Sequence, residues 1–177
     1  MAESFVNAQA RAAGIVTTNS AGAVGVTTNI ITGISTVGIS SGYLVDNTNF
    51  LLGARVTRVD VSKVYVDRDS TNTAAASDLS VKFLGLTSAY TAASKSILIG
   101  GTFANNTSSS LNLTVEVHDS SSNTVTAIAQ KIPVPTGSSF VITDAGKTVM
   151  ETSDSVRVYA DTANGIDATL SILKGVS

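Results

Sequence analysis

The sequence predicts an all-β protein: an antiparallel β-sandwich or jelly-roll-like domain, preceded by a small β-hairpin module and an extended N-terminal arm. Three observations predict it. Period-two alternation is the first: Leu111 to Val117 runs Leu, Asn, Leu, Thr, Val, Glu, Val, and the same beat returns at Leu79-Val81-Phe83, Val156-Val158-Ala160 and Ile166-Ala168-Leu170-Ile172. Successive side chains of a strand point to opposite faces, so this pattern marks half-buried strands. The second is punctuation by serine, threonine, asparagine and glycine at short intervals, with no helical period between the runs. The third is composition: only 14% of the 177 residues are charged, against a usual value of about a quarter.

Composition also limits function. The net charge of −2 gives no basic face for nucleic acid, and the eleven lysines and arginines are scattered. No apolar run reaches the length needed to span a bilayer. Met1-Ala2-Glu3-Ser4-Phe5 has neither the basic start nor the apolar core of a secretory signal. Without cysteine there are no disulfides or thiolate metal sites. A weakly charged surface with mean hydropathy +0.28 suits a chain covered by copies of itself or by partners.

In chain order, residues 1 to about 12 are expected to form a weak helical turn or an ordered tail. A glycine-led echo follows at Gly25-Val26-Thr27-Thr28, Gly33-Ile34-Ser35-Thr36 and Gly38-Ile39-Ser40-Ser41, with a looser copy at Gly14-Ile15-Val16-Thr17-Thr18. Residues 1–42 therefore read as an extended arm, either loose or ordered on a neighbouring subunit by strand addition. Residues 43–75 read as a small β module and linker. Arg55 to Val61 alternates, Val64-Tyr65-Val66 resumes on the other parity, and the switch across Ser62-Lys63 fits two strands joined by a tight turn or a bulge. Residues 76–177 read as the sandwich, with strands expected near 79–86, 95–104, 111–119, 124–132, 138–143, 147–151, 155–160 and 166–173. Turn chemistry separates them at Asn105-Asn106-Thr107-Ser108, Ser120-Ser121-Ser122-Asn123, Thr136-Gly137, Asp144-Ala145-Gly146 and Asn164-Gly165. Pro133 and Pro135 bracket Val134, and proline cannot donate to a ladder, so this piece is an edge strand or a crossover.

Candidate chemistry is sparse. His118, the single histidine, follows Glu116 on the polar parity of its strand and is expected to face solvent or a partner. No Gly-x-Ser-x-Gly elbow accompanies it, which sets a hydrolase last. Asp67-Arg68-Asp69-Ser70-Thr71-Asn72 places oxygens at alternating positions like the start of a calcium loop. The central glycine and distal bidentate acid are missing, and a solvated turn is the expected form. Glu116, Glu151, Asp154 and Asp167 show no spacing that favours a glycosidase pair, and Glu151 with Asp154 is expected in a turn between strands. The glycines make no nucleotide fingerprint. With 5% aromatic residues and no tryptophan, a sugar-stacking platform is weakly supplied. No catalytic, cofactor-binding or metal site is assigned, and no enzyme activity or cofactor is expected.

Two stretches carry a resemblance. Gly33 to Val45, Leu52 to Val59 and Val64-Tyr65-Val66 resemble a small β module that recurs in virion proteins of tailed bacteriophages, cyanophages among them. Ile132-Pro133-Val134-Pro135-Thr136-Gly137-Ser138-Ser139-Phe140, Gly146 to Glu151, Asp154 to Val158 and Ile166 to Leu173 are similar to a second phage virion pattern. Ser153 stands where that pattern would have glycine. The resemblance implies a virion structural protein, assembled in the host cytoplasm, whose β-sandwich subunits form symmetric rings or trimers. Its implied partners are other copies of itself and other virion proteins, with neither nucleic acid nor membrane. A tail, neck or fibre part is the leading expectation. The alternatives are a capsid-decorating protein on the head surface and an adhesive module that recognises a receptor or a host-surface glycan.

Overall fold

The structure is a computed structural model, and it describes residues 3–143 and 147–176. The chain divides into two compact units. Residues 15–86 form one, and the stretches on either side of them, up to residue 14 and from residue 87 onward, form the other. The expected division at 42/43 and 75/76 does not coincide with these units. Composition marks where a chain is polar or glycine-rich, but strand partners decide which unit a segment joins, and here the partners lie far apart in sequence.

The discontinuous unit is an antiparallel β-sandwich. One sheet holds β1 (Ser4–Ala13), β15 (Ile166–Lys174) and β9 (Ser96–Asn105), with β12 (Ser139–Ile142) and β13 (Thr148–Met150) both paired to the far side of β9. The other runs β11 (Thr124–Val134), β10 (Leu111–Asp119), β14 (Ser155–Ala160) and β8 (Thr87–Thr91). Their inward stripes meet in one core containing Leu98, Phe103, Leu113, Val115, Val158 and Leu170. Phe103 and Phe140, cross-strand partners in β9 and β12, pack ring to ring with centroids 6.3 Å apart. β11 lies at the edge of its sheet, as Pro133 required, and Val134 is buried at its end.

The N-terminal segment departs from expectation. Residues 4–13 form neither a helical turn nor a tail but an edge strand of the sandwich, in register with β15 from Ser4↔Lys174 to Ala10↔Ala168. Alanine-rich sequence favours helix weakly, and such propensity yields when an apolar stripe finds a sheet to cover. Val6, Ala8 and Ala10 are that stripe, packed against the core. β8 was not anticipated either. Apart from Tyr90, Thr87-Ser88-Ala89-Tyr90-Thr91 has small side chains, and it shows no alternating apolar stripe, yet Ala89 and Tyr90 are buried.

The second unit is a six-stranded antiparallel sheet in the order β4 (Leu44–Asp46), β7 (Ala76–Gly85), β2 (Ile15–Val24), β3 (Ile30–Thr32), β6 (Lys63–Val66), β5 (Val56–Asp60). A bridge between Leu44 and Arg55 joins its two ends, with Val56 N donating to Tyr43 O at 2.9 Å and Gly42 N to Val56 O at 2.8 Å. The sheet thus closes into a small barrel. The expected hairpin is present as β5 and β6, which turn through Val61 and Ser62 with Asp60 opposite Lys63. The glycine-led echo works inside this unit and not as an arm. Gly33 and Gly38 take positive φ values of 72° and 77°, which turn the chain where a side chain would strain it. The residues that follow them, Ile34 and Ile39, enter the barrel core. β2, expected as part of the arm, pairs with β7 of the same chain from Ile15↔Gly85 onward.

Candidate functional site

The acids and hydroxyls that could carry chemistry are engaged mainly by backbone. Asp154 is buried just before β14; its Oδ1 accepts from Ser120 N at 2.9 Å and its Oδ2 from Glu151 N at 2.8 Å. It therefore ties the turn after β13 to the turn after β10. Glu151 lies in that same turn, as expected, and its carboxylate meets Lys95 Nζ at 3.3 Å on the exposed surface. Asp167 Oδ1 accepts from Ala12 N at 2.8 Å and from Asn106 Nδ2 at 3.3 Å, which holds the bulge at the end of β1. Asn105, the last residue of β9 and the first of the expected turn, is buried and donates to Ser109 O and Val134 O at 2.7 and 2.9 Å.

The loop that loosely resembled a calcium site holds the barrel together. Burial raises the Asp67 carboxyl. Hydrogen bonds from the Arg68 side chain and the Arg55 amide, with the charges of both arginines, outweigh that effect and leave it below its ordinary value. Ser70 is buried; its Oγ donates to Gly25 O at 3.1 Å and accepts from Thr28 N at 3.2 Å. Thr71 N donates to Asn49 O at 2.8 Å. Oxygens that point at backbone N–H groups or donate to carbonyls are not turned toward a common centre. Among the described residues no cluster of three or more acid or histidine side chains could hold a metal ion.

His118 and Glu116 separate in environment. His118 is half-buried, with Nε2 3.3 Å from Asn123 Oδ1. Glu116, expected beside it facing solvent or a partner, is only 1% exposed, and Thr114 and Tyr159 on the same face of the sheet are buried too. Alternation assigns a side chain to a face but does not reveal whether that face is covered. In register, Glu116 lies opposite Arg157 and Ala127, and His118 lies opposite Ser155 and Val125. No serine–histidine–acid relay is formed by these neighbours. Asp119, next in the strand, has its carboxyl lowered to about 2, chiefly by the Ser121 hydroxyl and then by hydrogen bonds from Ser122. It shapes the turn Ser120-Ser121-Ser122-Asn123.

What remains open is the outer face and edge of the five-stranded sheet. Phe5↔Leu173, Leu173↔Ile97 and Ile97↔Val149 are register partners. These four apolar side chains form one row across β1, β15, β9 and β13, with Phe5 77% and Val149 56% exposed. On the same sheet, a shallow groove of about 380 Å³ is lined by Gly100, Gly101, Thr102, Val141, Thr169 and Ser171 among others. Gly100 is required there because a Cβ would stand 2.7 Å from Ile142 O. The expected turn Asp144-Ala145-Gly146 lies outside the described residues. Neither the row nor the groove is visible in local sequence, because each is assembled by register between strands distant along the chain.

No protein-family model, curated protein or solved structure matches this chain, so the functional reading rests on the geometry above.

Proposed function

We propose that this chain is a structural component of a tailed-phage virion, a tail, neck or fibre part, which assembles as a symmetric homo-oligomer through its sheet edges. The observation that carries the reading is the strand order of the sandwich. With its strands taken in chain order from β1, sheets ordered β1-β15-β9-β12 and β11-β10-β14-β8 follow the order expected of the two four-strand layers of a jelly roll, with β12 and β13 sharing one position, and this supports the reading. Viral capsid subunits are a common use of that arrangement. The barrel, residues 15–86, occupies the connection between the first two strands of the sandwich. Backbone edges left bare in one copy are completed by a neighbour, and closed symmetry then covers a weakly charged surface. The engagement of Asp154, Asp167, Asp67 and Ser70 by backbone groups supports a scaffold over an enzyme.

Jelly rolls also serve as lectin domains, and the hydroxyl-lined groove at Thr102, Thr169 and Ser171 favours an adhesive, glycan-recognising module as the second reading. Immunogold labelling of phage particles purified from the host that carries the gene tests the first. Gold on tail, neck or fibre is expected. Gold on the head surface shifts the assignment to capsid decoration, and label confined to the soluble fraction contradicts both. A glycan array with no bound sugar removes the adhesive reading.

A further inference from the structure

The four edges of the sandwich are not equally protected. β11 is long, but it slips register twice against β10, carries Lys131 at a φ of 51°, has Pro133 next to its last residue and is followed at once by Pro135. β8 is five residues long with a slip of its own, and β12 and β13 are four and three residues. Bulges, lysine, proline and shortness are the devices by which sheets discourage pairing with another chain. β1 has none of them over Ser4–Ala10, where its register with β15 is unbroken and its outer neighbour in the sheet is missing. Gly14, just past the end of β1, donates its N–H to Thr87 Oγ1 of β8 at 3.3 Å.

The sequence of this edge is complementary to itself when reversed. Glu3, Phe5, Asn7, Gln9 and Arg11 are all exposed, whereas Val6, Ala8 and Ala10 between them are half-buried against the core. Because side chains alternate, antiparallel pairing that keeps outer faces together must set odd positions against odd positions. Centred on Asn7, it places Glu3 of each copy opposite Arg11 of the other, Phe5 opposite Gln9, and the two Asn7 amides opposite each other. Other centres separate the two charges.

We propose that β1 pairs antiparallel with β1 of a second copy about a two-fold axis at Asn7, joining two five-stranded sheets into one continuous sheet. The contact is isologous, as a two-fold axis demands. Backbone hydrogen bonds supply the attraction, and two Glu3–Arg11 pairs set the register. The Gln9 stem of the partner covers Phe5, the most exposed member of the apolar row. This contact gives the self-assembly proposed above a specific surface.

The test is a concentration series by sedimentation equilibrium on the full chain and three charge variants, each checked for retained strand content by circular dichroism. Glu3→Arg and Arg11→Glu, alone, each replace attraction by repulsion in both pairs and are expected to weaken the dimer roughly tenfold. The double variant Glu3→Arg with Arg11→Glu restores opposite charges and is expected to return the dissociation constant to that of the natural sequence. Self-association indifferent to both single changes, or a double variant as weak as the singles, overturns the β1 contact while leaving assembly by another surface standing. A chain monomeric at every concentration overturns the contact and self-assembly together.

Discussion

Ser153 shows how much one backbone angle carries. Asp154 N donates to Glu151 O at 3.1 Å and closes a four-residue turn in which Ser153 takes a φ of 76°. A positive φ at the third position is the mark of a type II turn and favours glycine. The sequence pattern leads one to expect glycine there, and the geometry explains why. Ser153→Gly is therefore expected to raise stability by about 1 kcal/mol, read as a higher thermal midpoint; a lower midpoint contradicts the turn geometry. Asp119 offers a pH test. Its carboxyl falls from an ordinary 3.8 to about 2 in the folded chain. A depressed pKa contributes stability that is fully present above the unfolded value and is lost as pH falls toward the folded one. Acid unfolding is thus expected to weaken the natural chain between pH 3.8 and about 2 more than it weakens Asp119→Asn. Equal slopes for the two proteins contradict the Ser121 and Ser122 hydrogen bonds.

At the scale of elements, junctions matter as much as strands. Gly14 separates the last residue of β1 from the first of β2, with a φ of 121° that other residues rarely adopt. A Cβ there would stand 2.5 Å from Thr162 O, and Gly14 O already accepts from Asn164 N at 2.9 Å. Gly14→Ala combines left-handed strain with a backbone clash and is expected to cost about 2–4 kcal/mol, measured by urea unfolding; a loss below about 0.5 kcal/mol, the scale of an ordinary surface change, contradicts the path of the chain here. The alternating runs at 111–119, 155–160 and 166–173 were legible because their inward stripes are Val, Leu and Ile. β1 and β8 were not, because alanine, serine and threonine give little contrast between faces. The echo reads in sequence as an arm and in the structure builds the barrel, since a glycine that turns a chain and a glycine that loosens one look alike in sequence. The groove beside Gly100 and the row from Phe5 to Val149 stayed hidden for a different reason: cross-strand register is a property of partners and not of segments.

For the whole molecule, the all-β class followed from period and punctuation, while the division into units did not. A strand drawn from the first fifteen residues completes a sheet built from the last hundred, and no local signal announces a pairing of Phe5 with Leu173. The consequence is a sandwich whose longest plain edge is its own N-terminal strand and whose outer face carries an apolar row. Such a surface is stable alone only while it avoids its own copies, and closed symmetry is the ordinary way to satisfy it. The most direct measurement is the mass of the intact natural chain in solution, by light scattering across a hundredfold range of concentration. A mass that is a fixed multiple of 18.0 kDa, at least two copies, is the predicted result. A single species of 18.0 kDa at every concentration would contradict the account.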